Sequence, residues 1–207
     1  DVLRAILNGA AVHPIDIRQE GFADLGRRLI EEEITILNCV TSAFRNFAGT
    51  LAHHERFPHL RLITVIGETL YKSDIELYQQ HFSDKCIFVN RYGPNEAGHT
   101  SQYLIDKAIV VTSRVVPVGY TAAGKEIQLV DESGNPVGFG QPGEIVVTSR
   151  YLSPGYWRQP DRTQAVFWIK SVDDPRRVYH TGDMATMSPD GCLTYFGRKD
   201  SQVKIRG

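Results

Sequence analysis

Two stretches of this chain bring together hard oxygen donors, an aromatic ring and a cation in a pattern that could handle a nucleotide. The first is Asn90-Arg91-Tyr92-Gly93-Pro94-Asn95-Glu96-Ala97-Gly98. It directly follows the apolar run Cys86–Val89, at the carboxyl end of an expected strand, where open α/β sheets bind ligands. Gly93-Pro94 turns the chain tightly and lets backbone approach a ligand closely. Tyr92 offers a ring face, and Glu96 a carboxylate suited to Mg²⁺ beside phosphate. A plain strand-to-loop turn would use the same residues. The second stretch is Tyr179-His180-Thr181-Gly182-Asp183, followed downstream by Gly197-Arg198-Lys199-Asp200. An aspartate after Thr-Gly at a strand end can accept both hydrogens of a ribose diol. The planar fork of Arg198 can reach ribose or phosphate oxygens, and Tyr195 precedes it by three residues. An ordinary hairpin, turning through Ser188-Pro189-Asp190-Gly191 and capped by Asp183, is the alternative.

Two other patterns carry less. Gly138-Phe139-Gly140-Gln141-Pro142-Gly143 matches GxGxxG, but a dinucleotide fingerprint follows a strand and opens a helix. This copy contains a proline and runs into EIVV, so it reads as a turn. His53, His54 and His59 have no carboxylate or cysteine partner at ligand spacing, which reads as a solvated surface.

The elements that must hold these residues change character along the chain. In the first half, Phe22, Leu25, Leu29 and Ile30 recur at helical spacing. Ile34–Leu37 then reads as a short buried strand. A second helix carries Phe44, Phe47, Ala48 and Leu51, and Leu62–Ile66 is a β-branched strand ending at Gly67. Ser73-x-x-Glu76 has capping-box spacing ahead of Ile75, Tyr78 and Phe82, and Cys86–Val89 is the third strand. Alternating strands and helices imply a parallel sheet with crossover helices. From about Ile109 the segments IVVTSRVVPVG, KEIQLVD, GEIVVTS and CLTYFG are short and β-branched, with turns such as DESGNP between them. This half reads as antiparallel sheet or a small barrel, with one short helix near Arg162–Phe167.

The 207 residues carry 23 Lys+Arg against 24 Asp+Glu, a balance that argues against nucleic acid as partner. No apolar run approaches the eighteen or so residues of a bilayer span, so no membrane is implied. Three cysteines, odd in number and without CxxC, fit a reducing cytoplasm.

The order NRYGPNEAG, GEIVVTSRYLSPGYW, YHTGDMA and GRKDSQVKIRG resembles the adenylation domains of nonribosomal peptide synthetases. These belong to the adenylate-forming, AMP-binding superfamily that also holds acyl-CoA ligases and luciferases. The resemblance implies a partial adenylate-forming N-terminal domain of α/β class. A parallel-sheet portion would span residues 1–110, a β-rich distorted-barrel subdomain 111–198, and a hinge with the start of a C-terminal subdomain 199–207. It implies activation of an amino or other carboxylic acid by ATP and Mg²⁺, then transfer to the phosphopantetheine of a peptidyl carrier protein. The setting would be peptide antibiotic or other secondary-metabolite biosynthesis. By motif, Tyr92 would stack on adenine, with Asn90, Gly93 and Asn95 beside the nucleotide. Glu96 would hold the metal, Asp183 the ribose, with Arg198 and Tyr195 close by, and Asp200 would be the hinge. Glu96 and Arg198 are the catalytic candidates. The acyl pocket would be lined by Asn38, Thr64, Ile66, Arg91, His99 and Thr100. That set is unusually polar, and Arg91, if it faces the pocket, favours an acceptor group on the substrate. An outward or acid-paired Arg91 is the other possibility.

Two departures stand out. Asn95 occupies a position where the family usually has threonine. The family's upstream phosphate loop and C-terminal lysine are not in these residues. The expectation is therefore a piece of a larger synthetase, partnered by the rest of its own domain and inactive alone. An acyl-CoA or aryl-acid ligase, and a non-catalytic nucleotide- or partner-binding relative, are the alternatives.

Overall fold

The computed structural model describes residues 2–52 and 56–199, arranged as two sheets with helices on one face of the first. Asp200, the expected hinge, and His53 and His54 lie outside the described residues.

The first sheet grows from alternating strands and helices. Helix α1 (Val2–Leu7) buries nothing. Helix α2 (Ile17–Glu31) starts where the Asp16 carboxylate accepts the Arg18 N–H, and it kinks at Gly21. Strand β1 (Ile36–Val40) leads into α3 (Thr41–Thr50), β2 (Leu62–Ile66), α4 (Lys72–His81) and β3 (Ile87–Tyr92). The β1–β2 and β2–β3 ladders are parallel, as the alternation predicts. Strands β4 (Ser101–Ile105) and β5 (Tyr120–Thr121) then add antiparallel, making a mixed sheet of order β1-β2-β3-β4-β5.

One face of this sheet meets the helices. Leu37, Ile63, Val65 and Phe88 pack there with Phe44 and Phe47 of α3 and Tyr78 of α4. Phe44 meets Phe88 edge-on at 4.8 Å. Alternation sends the neighbouring residues to the other face. In the parallel register Asn38 pairs with Thr64 and Val40 with Ile66 and then Arg91, so these side chains share that second face.

Three local expectations shift. The first strand starts at Ile36 rather than Ile34, because Glu33 at φ +50° and the Ile34 N–H, bonded to the Leu29 carbonyl, are used to end α2. Helix α4 is capped not through Ser73 but through Asp74, whose carboxylate accepts the Tyr71 N–H at 2.9 Å. The segment IVVTSRVVPVG is irregular, not a strand. Its backbone N–H groups are divided between distant partners, Val116 to the Leu70 carbonyl and Val118 and Gly119 both to that of Leu193, and Pro117 has no N–H to give.

The second sheet is antiparallel, of order β10-β9-β7-β6. Its strands are β6 (Glu126–Val130), β7 (Gly143–Ser149), β9 (Arg177–Met187) and β10 (Leu193–Arg198). Helix α5 (Pro160–Val166), the expected short helix, runs into β8 (Phe167–Ile169), which pairs with the first part of β9. Of sheet and barrel, the sheet is what forms: β6 and β10 end its strand order without pairing with each other, and among the described residues no barrel closes. GFGQPG is the turn between β6 and β7, with the Gly140 N–H on the Met187 carbonyl. No helix among the described residues is long and apolar enough to cross a membrane.

Candidate functional site

The site forms where β3 leaves the first sheet and a bulge in β9 reaches towards it. Between Glu144 and Val146 the β7–β9 ladder skips, so that Thr181, Gly182 and Asp183 lie opposite Ile145 alone. A bulge of this kind bends a strand and re-aims its side chains. Gly182 supplies the positive φ, +71°, and a Cβ on it would sit 2.7 Å from Nη2 of Arg198. The bare glycine thus lets the guanidinium lie across the bulge, where Nη1 donates to Oδ1 of Asp183 at 3.1 Å and to the Thr181 carbonyl.

Asp183 is buried, and its other oxygen accepts the Tyr92 hydroxyl at 2.6 Å. The Tyr92 ring is also buried and stacks against Tyr195 at 5.9 Å between centroids. Burial, then the Asp183 charge, pushes the Tyr92 phenol far above its usual range, so it remains a proton donor. The structure therefore gathers Tyr92, Asp183, Tyr195 and Arg198, residues up to 106 apart in sequence, into one cluster. It also shows that Tyr92 is no open platform: for a base to stack on it, its ring must part from Tyr195.

The loop after β3 is held at both ends. The Thr100 N–H returns to the Tyr92 carbonyl, and the Ala97 and Gly98 N–H groups both turn back to the carbonyl of Pro94. Gly93 is required by this closure, since a Cβ there would meet the Gly98 carbonyl oxygen at 2.0 Å. Glu96, half-buried, takes the Tyr156 hydroxyl on Oε1 at 2.7 Å, and its own carbonyl accepts the Ser153 N–H. Burial followed by Glu96 raises the Tyr156 phenol, which keeps it a donor.

A cleft of about 440 Å³ opens beside this loop on the face of the first sheet opposite α3 and α4. Asn38, Thr64, Ile66, Arg91 and His99 line it, as does Asn95 of the loop. Arg91 faces the cleft, which answers the question of its direction. Its guanidinium is held below its ordinary range by burial and by Arg4. His99 is likewise depressed by burial, then by Arg91, Arg4 and Lys125, and so favours the neutral imidazole.

Two expected residues fall elsewhere. Asn90 points to the opposite face of β3 from Arg91, is buried, and donates to the Pro117 carbonyl at 2.8 Å; its place is in holding the irregular segment to the sheet. Thr100 is fully buried and donates to the Gly98 carbonyl at 2.9 Å, closing the loop rather than lining the cleft. The sequence reading missed Arg4, Cys39, Val40 and Tyr156. Strand alternation from Asn38 would have found Val40, whereas Arg4 lies far from any motif. The Cys39 side chain packs against the helix-side core, where burial pushes its thiol up to about 12.

A hard oxygen at Glu96 suits Mg²⁺, which is commonly held by one or two protein carboxylates together with phosphate oxygens and water. Among the described residues no three His, Cys, Asp or Glu converge into a metal site.

Residues 1–157 match the AMP-binding enzyme family. Bacitracin synthase 1 of Bacillus licheniformis is 32% identical over 211 residues, covering 100% of this chain and 4% of that protein. The D-alanine--D-alanyl carrier protein ligase of Streptococcus pneumoniae (strain 70585) is 34% identical over 154 residues, 74% of this chain and 29% of the ligase. The crystal structure of the Vibrio cholerae adenylation domain AlmE in complex with glycyl-adenosine-5'-phosphate is similar with a TM-score of 0.76 and 25% identity, covering 90% of this chain and 35% of AlmE. The chain thus spans less than a third of either curated relative.

Proposed function

The chain belongs to the AMP-binding enzyme family, and from that premise we propose that it forms the acid-selecting and nucleotide-binding part of an ATP-dependent ligase. The ligase would activate an amino or other carboxylic acid as its acyl-adenylate and pass it to the phosphopantetheine thiol of a carrier protein. One observation carries this reading. Arg91 and Tyr92 are neighbours on β3 and point to opposite faces, one into the acid-sized cleft and the other to Asp183. A single strand end therefore separates an acid site from a nucleoside site by one residue, the proximity that joining an acid to AMP requires.

In this reading Asp183 receives the ribose hydroxyls, exchanging its bond from Tyr92 for them, while Arg198 stays to hold its orientation. Tyr195 and Tyr92 border the base, and Gly93 with Asn95 lets backbone approach the phosphates. Glu96, oriented by Tyr156, holds Mg²⁺. The ion, when bound with ATP, neutralises charge developing on the phosphates. Support for a carrier acceptor comes from the likeness to a carrier protein ligase. The motif order supports the peptide-synthetase branch. The need for ATP and the three free cysteines support a cytoplasmic setting.

The test is acid-dependent ATP–pyrophosphate exchange by the full-length protein, with and without Asp183→Asn, followed by loading of a phosphopantetheinylated carrier against free CoA. Exchange that needs an acid and is lost in the variant supports the reading. Exchange absent with every acid would overturn it, and transfer to free CoA alone would overturn the carrier assignment.

A further inference from the structure

Resting on the reading of Asp183 as the carboxylate that receives the ribose hydroxyls, we infer that Glu144 is a positioning residue for the nucleotide. Its side chain holds the β9 bulge in the shape that aims Asp183. Three residues of β9, Thr181 to Asp183, lie opposite one residue of β7, so the regular exchange of backbone bonds breaks there. Oε1 of Glu144 accepts the Gly182 N–H at 3.0 Å. The Gly182 carbonyl accepts the Lys199 N–H at 2.8 Å. A glycine at φ +71° is thus tied from β7 on one side and from the end of β10 on the other.

Glu144 acts on Asp183 through the backbone alone. Ile145 packs in the same core as Tyr92, and alternation puts its neighbour Glu144 on the opposite face of β7. The Glu144 side chain is 12% exposed, and Nδ1 of His180 lies 3.4 Å from the same Oε1. The His180 ring packs against Trp168 at 4.4 Å between centroids, so its own position is set by β8. A carboxylate so little exposed carries a desolvation cost that an apolar side chain of that volume would avoid. The bond to Gly182 accounts for its presence: it is a charge-assisted acceptor for an N–H that the bulge takes out of the ladder.

Thr181 braces the same turn beside it. Its hydroxyl donates to the Ile145 carbonyl at 2.8 Å and accepts the Asp183 N–H at 3.0 Å. Each N–H of the bulge residues Gly182 and Asp183 therefore ends on a side-chain oxygen, Glu144 for the first and Thr181 for the second. Without the Glu144 bond, the peptide joining Thr181 to Gly182 can rotate, and glycine resists that rotation less than any other residue. Asp183, the next residue, would turn with it.

The experiment is acid-dependent ATP–pyrophosphate exchange by the full-length protein, with ATP set against 2′-deoxy-ATP and 3′-deoxy-ATP. The wild-type protein should favour ATP over at least one analogue by about tenfold or more in kcat/KM, since each analogue takes a hydroxyl donor from the carboxylate. Glu144→Met, similar in length but without an oxygen, should bring that ratio to within about threefold of one. It should raise KM for ATP and leave KM for the acid unchanged. Glu144→Gln keeps an acceptor for the Gly182 N–H and should retain most of the ratio. Should Glu144→Met not fold, Glu144→Asp takes its place: it keeps the charge, falls one methylene short of Gly182, and should lose the ratio likewise. Val146→Ala thins the packing with Val130 and Val178 on the same face, and should leave the ratio as in the wild type. A ratio that survives Glu144→Met, or one that falls equally in Val146→Ala, would overturn this inference while leaving acid activation standing. A wild-type ratio of one in a protein that exchanges well overturns the ribose reading of Asp183, and this inference with it. Exchange with no acid at all removes the adenylation reading itself.

Discussion

The Tyr92 hydroxyl donates to Oδ2 of Asp183 at 2.6 Å, joining the end of β3 in one sheet to the β9 bulge of the other. Both residues are buried, so the bond links the two sheets. Tyr92→Phe should cost about 1–3 kcal/mol in urea unfolding, because it leaves a buried carboxylate oxygen short of a donor. Tyr92→Phe combined with Asp183→Asn should cost less than the sum of the two single changes. Additive losses would show that the residues are not energetically coupled.

A second buried carboxylate governs the helical side. Asp74 is fully buried and takes two bonds from Arg45, at 2.6 and 2.8 Å, besides the Tyr71 N–H. Arg45→Met strands that charge and should cost about 3 kcal/mol. Asp74→Asn keeps an oxygen for the Tyr71 N–H and leaves Arg45, partly exposed, to water, so it should cost less. Chemical denaturation of the two variants orders them, and the reverse order would refute this account.

Gly93→Ala tests whether the loop must close as it does. The added methyl would meet the Gly98 carbonyl at 2.0 Å, forcing the loop that carries Asn95 and Glu96 to move. A displacement of about 1 Å at a reacting centre can cost about a hundredfold in rate. Acid-dependent exchange should fall by that order while far-UV circular dichroism stays unchanged.

The cleft makes stability depend on pH through His99. Its folded-state pKa is depressed below the ordinary 6.5 by burial and three nearby cations, so the unfolded chain binds the proton more readily. The associated stability is complete above the unfolded value and is lost as pH falls through 6.5 towards the lower folded value. Thermal midpoints should therefore drop between pH 7 and pH 5, and His99→Gln should remove part of that drop. A slope identical in both proteins would exclude His99 as its source.

Strand and helix identities were readable where one face was buried and the period clear. Leu62–Ile66 is strand β2 as expected, and Phe44, Phe47 and Ala48 lie on one buried face of α3. Legibility failed where tertiary partners consume backbone groups that sequence leaves open. Val115–Gly119 looks like a strand by composition, yet its N–H groups are divided between Leu70 and Leu193, contacts that no local pattern encodes. In the site, motif order identified the residues that converge, Tyr92 with Asp183 and Arg198, but not their mutual engagement. Strand alternation was the cue that would have separated Asn90 from Arg91. Thr100 was misread because a loop residue's direction follows from closure bonds, here to Gly98, rather than from its spacing to a motif. Arg4 was invisible because only the fold brings α1 to the cleft.

One ladder, β1-β2-β3, carries the cleft on one face and the helix-packed core on the other, so adjacent positions serve separate ends. Asn38, Thr64, Ile66 and Arg91 can be exchanged while Leu37, Ile63 and Val65 keep their packing. If the cleft selects the acid as proposed, a lineage built on this ladder would change its substrates by single-codon steps without renegotiating its folding. A library randomised at those four positions should be rich in folded members, and its diversity should show in what they accept.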